Sequence, residues 1–433
     1  MPKPCNITRG RPLRIAQIHT ADRGGGAEQI ALELHRGFLE AGHDARLWVG
    51  RKETDTPRVY EIDRRQRFKG EMRLRMWCQN RFGLQNFCSP GSLHLHRQIG
   101  DIDILAIHSI HGSKGYLNIE ALPSLCRAQP SFLVLHDQWT LTGHCSYGLS
   151  CERWKHGCGK CPDLSLSPSI KRDGTRLNWL RKCLAYGRSS FSVIPTAGWI
   201  RACAQSSRLY ENKTIFPAIL NSADPAVFYP GDKAEERSAL GIPVDAPVVL
   251  FLANQGAHAT YKDFLTLTAA FQKLKKALPS CILITVGGEP THETRNALPG
   301  DVRFFPYIRN RKEVASYYRA ADVFCHATKA DVCPLTVIEA QACGVPVVAS
   351  AVGGIPEILK HEETGQLVPS GDPTAMSAAL LRVLTNDGLR RRMAVEAESF
   401  AARNFSPTKR LSAYLSLFTY AAQAGEKGND EKR

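Results

Sequence analysis

Residues 322–350 read Asp322-Val-Phe-Cys-His326-Ala-Thr-Lys-Ala-Asp331-Val-Cys-Pro-Leu-Thr-Val-Ile-Glu339-Ala-Gln-Ala-Cys-Gly344-Val-Pro346-Val-Val-Ala-Ser350. Asp322–His326 and Val345–Ser350 are short apolar runs that read as buried strands. Between them a loop turns into a helix that contains Glu339. Strand, helix, strand in this order, with continuously apolar strands, is the signature of a parallel sheet covered on both faces.

The alternation runs outward in both directions. Leu13–His19, Ala45–Val49, Ile102–Ile107, Phe132–His136 and Phe191–Pro195 read as one set of strands. Ala27–Ala41 is a helix among them that ends at Gly42. The pattern restarts with Val248–Ala253, Cys281–Val286 and Val302–Pro306, with a helix over Phe264–Leu278. Helices over Thr374–Thr385, Asp387–Asn404 and Lys409–Ala422 close the chain. This predicts two doubly wound α/β domains, 1–215 and 216–400, and a C-terminal helix with a frayed tail, 401–433. The break falls near Pro217–Asp232, where Pro and Asp interrupt the pattern. Ligands of such folds bind at the carboxyl ends of the strands, so two facing domains imply a cleft.

Composition sets the outer limits. With 433 residues, 43% apolar and 22% charged, the chain is neither fibrous nor mostly disordered. No apolar run reaches the roughly 18–20 residues that span a bilayer. Met1–Arg14 is polar and basic, without a signal-peptide core, so a cytoplasmic chain with reduced thiols is expected. The net charge is +15, of which residues 1–200 carry +12, so the first half is the one to meet a polyanion. Nucleic acid is not expected, because no zinc finger, RNA-binding sheet motif or recognition helix is present.

Two motifs carry chemistry. In Asp22-Arg23-Gly24-Gly25-Gly26-Ala27-Glu28 the glycines let a ligand approach the backbone, ahead of a helix N-terminus suited to a diphosphate. The spacing is not G-x-G-x-x-G, and a tight turn without ligand would use the same residues. Farther on, Asp331 and Glu339 bracket Val332, Cys333, Pro334, Leu335 and Thr336. Backbone N–H groups there, with a carboxylate on either side, could bind sugar hydroxyls at one end and a ribose at the other. The plain alternative is a solvated Asp and a helix-face Glu.

The second motif resembles the signature of the retaining, family 4 glycosyltransferases of GT-B architecture: two acids eight residues apart running into E-A-x-A-x-G-x-P-V. Gly353-Gly-Ile-Pro-Glu357 continues the match. Gly25-Gly-Ala-Glu28, Asn221-Ser-Ala-Asp224 with Phe228 and Pro230, Lys262-Asp-Phe264 and Ala320-Ala-Asp-Val323 resemble further landmarks in the same order. The resemblance covers nearly the whole chain. It implies two Rossmann-like domains, acceptor on the first and nucleotide sugar on the second, and transfer needing no metal or other cofactor. It also implies that Glu339 holds the ribose, and Asp331 with the following amides the donor sugar. Lys262 and Gly24–Gly26 would neutralise the diphosphate. Asp331 is one methylene shorter than the usual Glu, Ala253–Thr260 lacks the usual Arg, and Ser222 replaces Gly. A non-catalytic sugar-nucleotide or glycan-binding scaffold would share the first two departures. A nucleotide-sugar epimerase shares the architecture, but the Asp331/Glu339 pair disfavours it.

His136-Asp-Gln-Trp139-Thr-Leu-Thr142-Gly-His144-Cys145 resembles a segment of colanic-acid-type exopolysaccharide transferases. The resemblance sets His136 beside the donor sugar and implies a lipid-linked saccharide acceptor. Cys145, Cys151, Cys158 and Cys161, in a Cys-rich loop over 143–163, have a spacing compatible with a structural zinc; packing or disulfides are the alternatives. Residues 64–82 interleave Arg and Lys with Met, Trp and Phe. They predict an amphipathic surface helix against anionic lipid on the inner face of the plasma membrane, or else a solvated basic face.

Overall fold

The computed structural model describes residues 11–63, 70–87, 89–111, 116–254, 259–288, 295 and 300–430. The chain divides into two units. One comprises Met1–Ile219 with Leu411–Arg433, the other Leu220–Arg410.

In the first unit the strands are β1 (Arg14–Ala21), β2 (Asp44–Arg51), β3 (Val59–Glu61), β4 (Ile104–Ile107), β5 (Ser131–Leu135) and β6 (Ser192–Pro195). They form one parallel sheet in the order β3-β2-β1-β4-β5-β6. Ile15 lies opposite Ala45 on one side and Ile104 on the other. Helix α1 (Gly26–Glu40) covers a face, burying Ile30, Leu34 and Phe38 at helical spacing.

The second unit repeats the topology with β7 (Val248–Leu252), β8 (Ile282–Val286), β9 (Val302–Phe305), β10 (Val323–His326), β11 (Val347–Ser350) and β12 (Gly365–Val368). The order is β12-β11-β10-β7-β8-β9, again all parallel. Every residue of β7, β8, β10 and β11 is buried, which is why these strands read as unbroken apolar runs. In both sheets the strand order reverses beside the first strand of the unit, between β1 and β4 and between β7 and β10. Crevices for ligands open at such switch points, beyond the strands' carboxyl ends.

The two doubly wound sheets match the expected fold class. The sequence reading did not include β3 and β12, both at sheet edges. β3 is Val-Tyr-Glu with two exposed residues, and β12 begins at Gly365, so neither carries an apolar run. The end of the chain is also apportioned differently from 401–433. The helix Asp387–Asn404 stays in the second unit, and the chain returns to the first at Leu411. There Phe418, fully buried in the helix Pro407–Asp430, packs its ring 5.7 Å from Phe38 and 5.1 Å from Phe132. Gly37 of α1 leaves room for Leu411, since a Cβ there would lie 3.1 Å from the leucine.

Asp322 ties the strands of the second sheet together. It is buried, yet bonds Arg237 and Lys233 at 2.7 Å each and accepts the Val248 N–H at 2.8 Å. Burial works against its charge, and the two cations with the amide outweigh it, holding the carboxyl below its ordinary range. Asp322→Ala would strand the buried Arg237 guanidinium and should cost about 3–5 kcal/mol, read as a lower midpoint in urea unfolding. Because the folded carboxyl titrates below the unfolded one, that contribution is present at neutral pH and is lost as pH falls through the folded value.

Candidate active site

The expected landmarks of the second unit converge at the carboxyl end of β10. Tyr261–Asp263 runs beside Ala327–Lys329: the Asp263 N–H donates to Ala327 O at 3.0 Å and the Lys329 N–H to Tyr261 O at 2.8 Å. Lys262 and Thr328 form an isolated antiparallel bridge. Asp263 then caps the helix Phe264–Ala277 by accepting the Thr266 N–H, and Phe264 is buried against Phe251. With its neighbours fixed to cap and core, Lys262 directs its ammonium to the loop after β10.

There Lys262 Nζ lies 2.7 Å from Asp331 Oδ2 and 3.2 Å from His326 Nε2. His326 Nε2 is 3.4 Å from Asp331 Oδ2, and Thr336 Oγ1 is 3.4 Å from His326 Nδ1. Burial, then the Lys262 charge, pushes the fully buried His326 down to about 4, so the ring is neutral at pH 7. Burial alone would raise Asp331, but Lys262 and His326 outweigh it and hold the carboxyl well below the usual range.

The loop that presents Asp331 is shaped by glycine. Gly353 has φ +58°, and a Cβ there would stand 1.9 Å from Asp331 O; the Gly354 N–H donates to the same oxygen at 3.1 Å. Asn221 holds the next step, its Nδ2 donating to Cys333 O at 2.7 Å. The helix Leu335–Ala342 then starts at Pro334 with no side-chain cap, leaving first-turn N–H groups for a ligand. The Val332 N–H is already turned onto Asp331 Oδ1 at 3.0 Å.

Glu339 is buried one turn into this helix. Arg311 Nη2 donates to Oε1 at 3.0 Å and Tyr318 Oη to Oε2 at 3.1 Å. The Arg311 guanidinium rests over Phe228, 4.8 Å from the ring centre. His326, Arg311 and Tyr318 were absent from the sequence expectation. His326 had one signal, its place at the end of a strand, but the two partners of Glu339 are joined to it only by folding. Residues 255–258, in the stretch without the usual Arg, lie outside the described residues.

The first unit holds the other expected residues. Gly25 caps α1 without a side-chain bond. The Glu28 carboxyl folds back over the glycines, so that a Cβ on Gly25 would lie 3.3 Å from its Oε2. Burial raises the Glu28 pKa above the ordinary carboxylate value. His136 follows β5, with Nε2 3.0 Å from His108 Nδ1, while His108 Nε2 is 3.1 Å from Gln17 Nε2. His111 pairs with Asp137 at 3.1 Å and stacks on Trp139 at 5.3 Å. Lys182 is buried beneath this turn. Its Nζ donates to Thr142 O at 2.8 Å and stands 3.3 Å from the Trp139 ring centre, and burial pulls its pKa down to about 7.

Cys145, Cys151, Cys158 and Cys161 line one small cavity together with His144, and all four are reduced. Among the described residues, however, no three His, Cys, Asp or Glu side chains form a group that could hold a metal ion. The tetrahedral zinc centre expected from the spacing is therefore not assembled. The thiols line a shared space, and burial raises Cys161, pushes Cys158 up to about 11 and Cys145 up to about 12.

Replacing Lys262 by Met removes a positive charge beside His326 and leaves Asp331 to favour the imidazolium. The His326 ring should then titrate above about 4, nearer its ordinary value, as followed by its carbon-13 shift against pH. Gly353→Ala should displace the Asp331 carbonyl and disturb the same titration.

Residues 232–400 match the family model of glycosyl transferases group 1. Over 313 residues the chain is 30% identical to a D-inositol 3-phosphate glycosyltransferase of Stackebrandtia nassauensis, covering 67% of this chain and 68% of that protein. A protein of the same name from Xylanimonas cellulosilytica is 24% identical over 96% of this chain and 98% of its own length. Among solved structures, HepE of Anabaena, in complex with UDP and glucose, shares the fold at a TM-score of 0.69. It is 16% identical, over 94% of this chain and 100% of that one. The architecture is GT-B, and the chain belongs to the group 1 glycosyl transferases.

Proposed function

We propose that this chain is a retaining, family 4 hexosyltransferase that carries a sugar from a nucleoside diphosphate to a lipid-linked saccharide in polysaccharide assembly. The observation that carries the reading is the Lys262–Asp331–His326 cluster, with Glu339 fixed by Arg311 and Tyr318 on the helix that follows. We assign Glu339 the ribose hydroxyls. Arg311 and Tyr318 hold its carboxylate in one orientation on the helix. Asp331 and the amides of Cys333, Leu335 and Thr336 take the donor sugar, and Lys262 the diphosphate. As the glycosidic bond breaks, charge grows on the leaving phosphate, and a lysine already oriented by Asp331 stabilises it without reorganisation. The leaving phosphate oxygen accepts the acceptor's proton on the same face of the sugar, which retains configuration and needs no protein nucleophile. In the first unit, Gly24–Gly26 is assigned diphosphate contacts and His136 a contact to the donor sugar.

The solved HepE complex contains UDP, which favours a UDP-sugar as donor. The names of the relatives supply a second reading of the acceptor, an inositol phosphate, whose anion would suit the basic first half of the chain. No helix among the described residues is long and apolar enough to cross a membrane.

A thermal-shift panel of UDP, GDP, ADP and dTDP should show one diphosphate stabilising the chain. At 100 times its dissociation constant that amounts to about 2.7 kcal/mol, and it should be absent in Glu339→Ala. Lys262→Ala should lower turnover of the matching donor roughly a hundred- to a thousand-fold. Proton NMR of the product should show the donor's anomeric configuration. Silence across the panel, with no donor turned over, would favour the binding scaffold.

A further inference from the structure

Two helices of the first unit build a surface that the proposed reaction does not use. Helix α2 (Glu71–Phe82) is inside out by the usual rule, because its only buried residue is Glu71, paired with Arg75 at 3.0 Å. Leu74, Met76 and Trp77 point to solvent, with Trp77 59% exposed. Arg73 and Arg81 share that face, since residues 73, 74, 77 and 81 fall on one side of a helix. The surface helix expected over 64–82 is present from Glu71, and its exposed face carries both apolar and basic side chains. Residues 64–69 lie outside the described residues, and the helix from Glu71 turns its apolar side outward rather than onto the core.

The second helix, Thr175–Gly187, does the same. It buries Trp179, Lys182 and Tyr186, yet shows Leu177, Leu180 and Leu184 on one exposed stripe beside Arg176, with Leu184 62% exposed. The two helices meet end to end. A Cβ on Gly83 would lie 1.9 Å from Arg172 O, and Asn178 Nδ2 donates to Gly83 O at 2.9 Å. Gln85 N–H donates back to Asn178 Oδ1 at 3.0 Å. The exposed Phe82 stands at this junction, its ring 6.3 Å from that of Trp77.

Large apolar side chains in solvent on two joined helices cost free energy unless something covers them. Charge identifies the cover. Neither helix carries an exposed carboxylate: Glu71 is the only acid in either, and it is buried. Asp173, just ahead of the second helix, is engaged with the Thr175 N–H and hydroxyl. A second copy docked by a two-fold axis would set arginine against arginine, whereas an anionic bilayer offers apolar depth and negative headgroups together. We infer that the α2 and Thr175–Gly187 face docks on an anionic lipid surface, inserting Leu74, Trp77, Leu177 and Leu184 below the headgroups. The inference rests on this surface and not on the proposed reaction.

The test is flotation of the full chain, without nucleotide, on vesicles of phosphatidylcholine alone or with one third phosphatidylglycerol. Binding is expected to the anionic vesicles only, and to weaken with salt. Leu74→Ser with Trp77→Ser, and separately Leu177→Ser with Leu184→Ser, should each lower partitioning on the order of tenfold or more with unchanged melting temperature. Arg73→Glu with Arg81→Glu should do likewise. A wild-type chain that stays off anionic vesicles overturns the inference. So does binding indifferent to both serine pairs, or a self-association that those pairs abolish. Because donor binding is read separately by thermal shift, failure here leaves the glycosyl-transfer reading untouched, and the converse holds.

Discussion

A carboxylate partly withdrawn from water in the loop after a buried strand is kept ionised by a cation, and Lys262 supplies that cation to Asp331 at 2.7 Å. Much of the surrounding backbone serves to make this approach. The bridge between Lys262 and Thr328 brings two distant segments side by side, and Asp263 and Phe264 anchor the chain on the far side of the lysine. A side chain on Gly353 would push Asp331 away. Asp331 is shorter than a glutamate by one methylene, yet the lysine meets it at full hydrogen-bond distance, so the short acid is accommodated rather than orphaned.

Most of the fold could be read from the chain because fully buried parallel strands need unbroken apolar runs, and the central strands have them. The edge strands β3 and β12 need no such runs and were invisible for that reason. The acids of the site could be read because their spacing along one loop and helix fixes their relation locally. Their partners could not. Arg311 lies 28 residues from Glu339 and His326 lies 64 from Lys262, and only the sheet order brings either pair together. Position at the end of a strand was the one local signal for His326, which the sequence expectation did not use, while nothing local pointed to Arg311 or Tyr318.

In the first unit, local spacing was a weaker guide. Four cysteines close in sequence do share one cavity, but proximity in sequence does not force thiols onto one point. The glycine loop has the expected place ahead of a helix, and its own Glu28 lies across it. His136 finds its neighbour in His108, which in turn meets Gln17 of β1, so its setting is a property of the sheet. The basic stretch was legible as a surface helix, but not that a buried Glu71 would be its inward anchor, because which side of a helix faces inward is decided by what packs against it.

The return of the chain at Leu411 bears on the order of assembly. Leu220–Arg410 is one continuous stretch, so its core can close as soon as it has been synthesised. The first unit comes earlier in the chain and yet cannot be completed early. Phe38 and Phe132 wait for Phe418, which is made more than 220 residues after β6 ends the sheet beside them. The unit begun first is therefore the one finished last, and until then it carries an uncovered apolar seam. During synthesis that seam, rather than either sheet edge, is the surface most in need of protection from other chains.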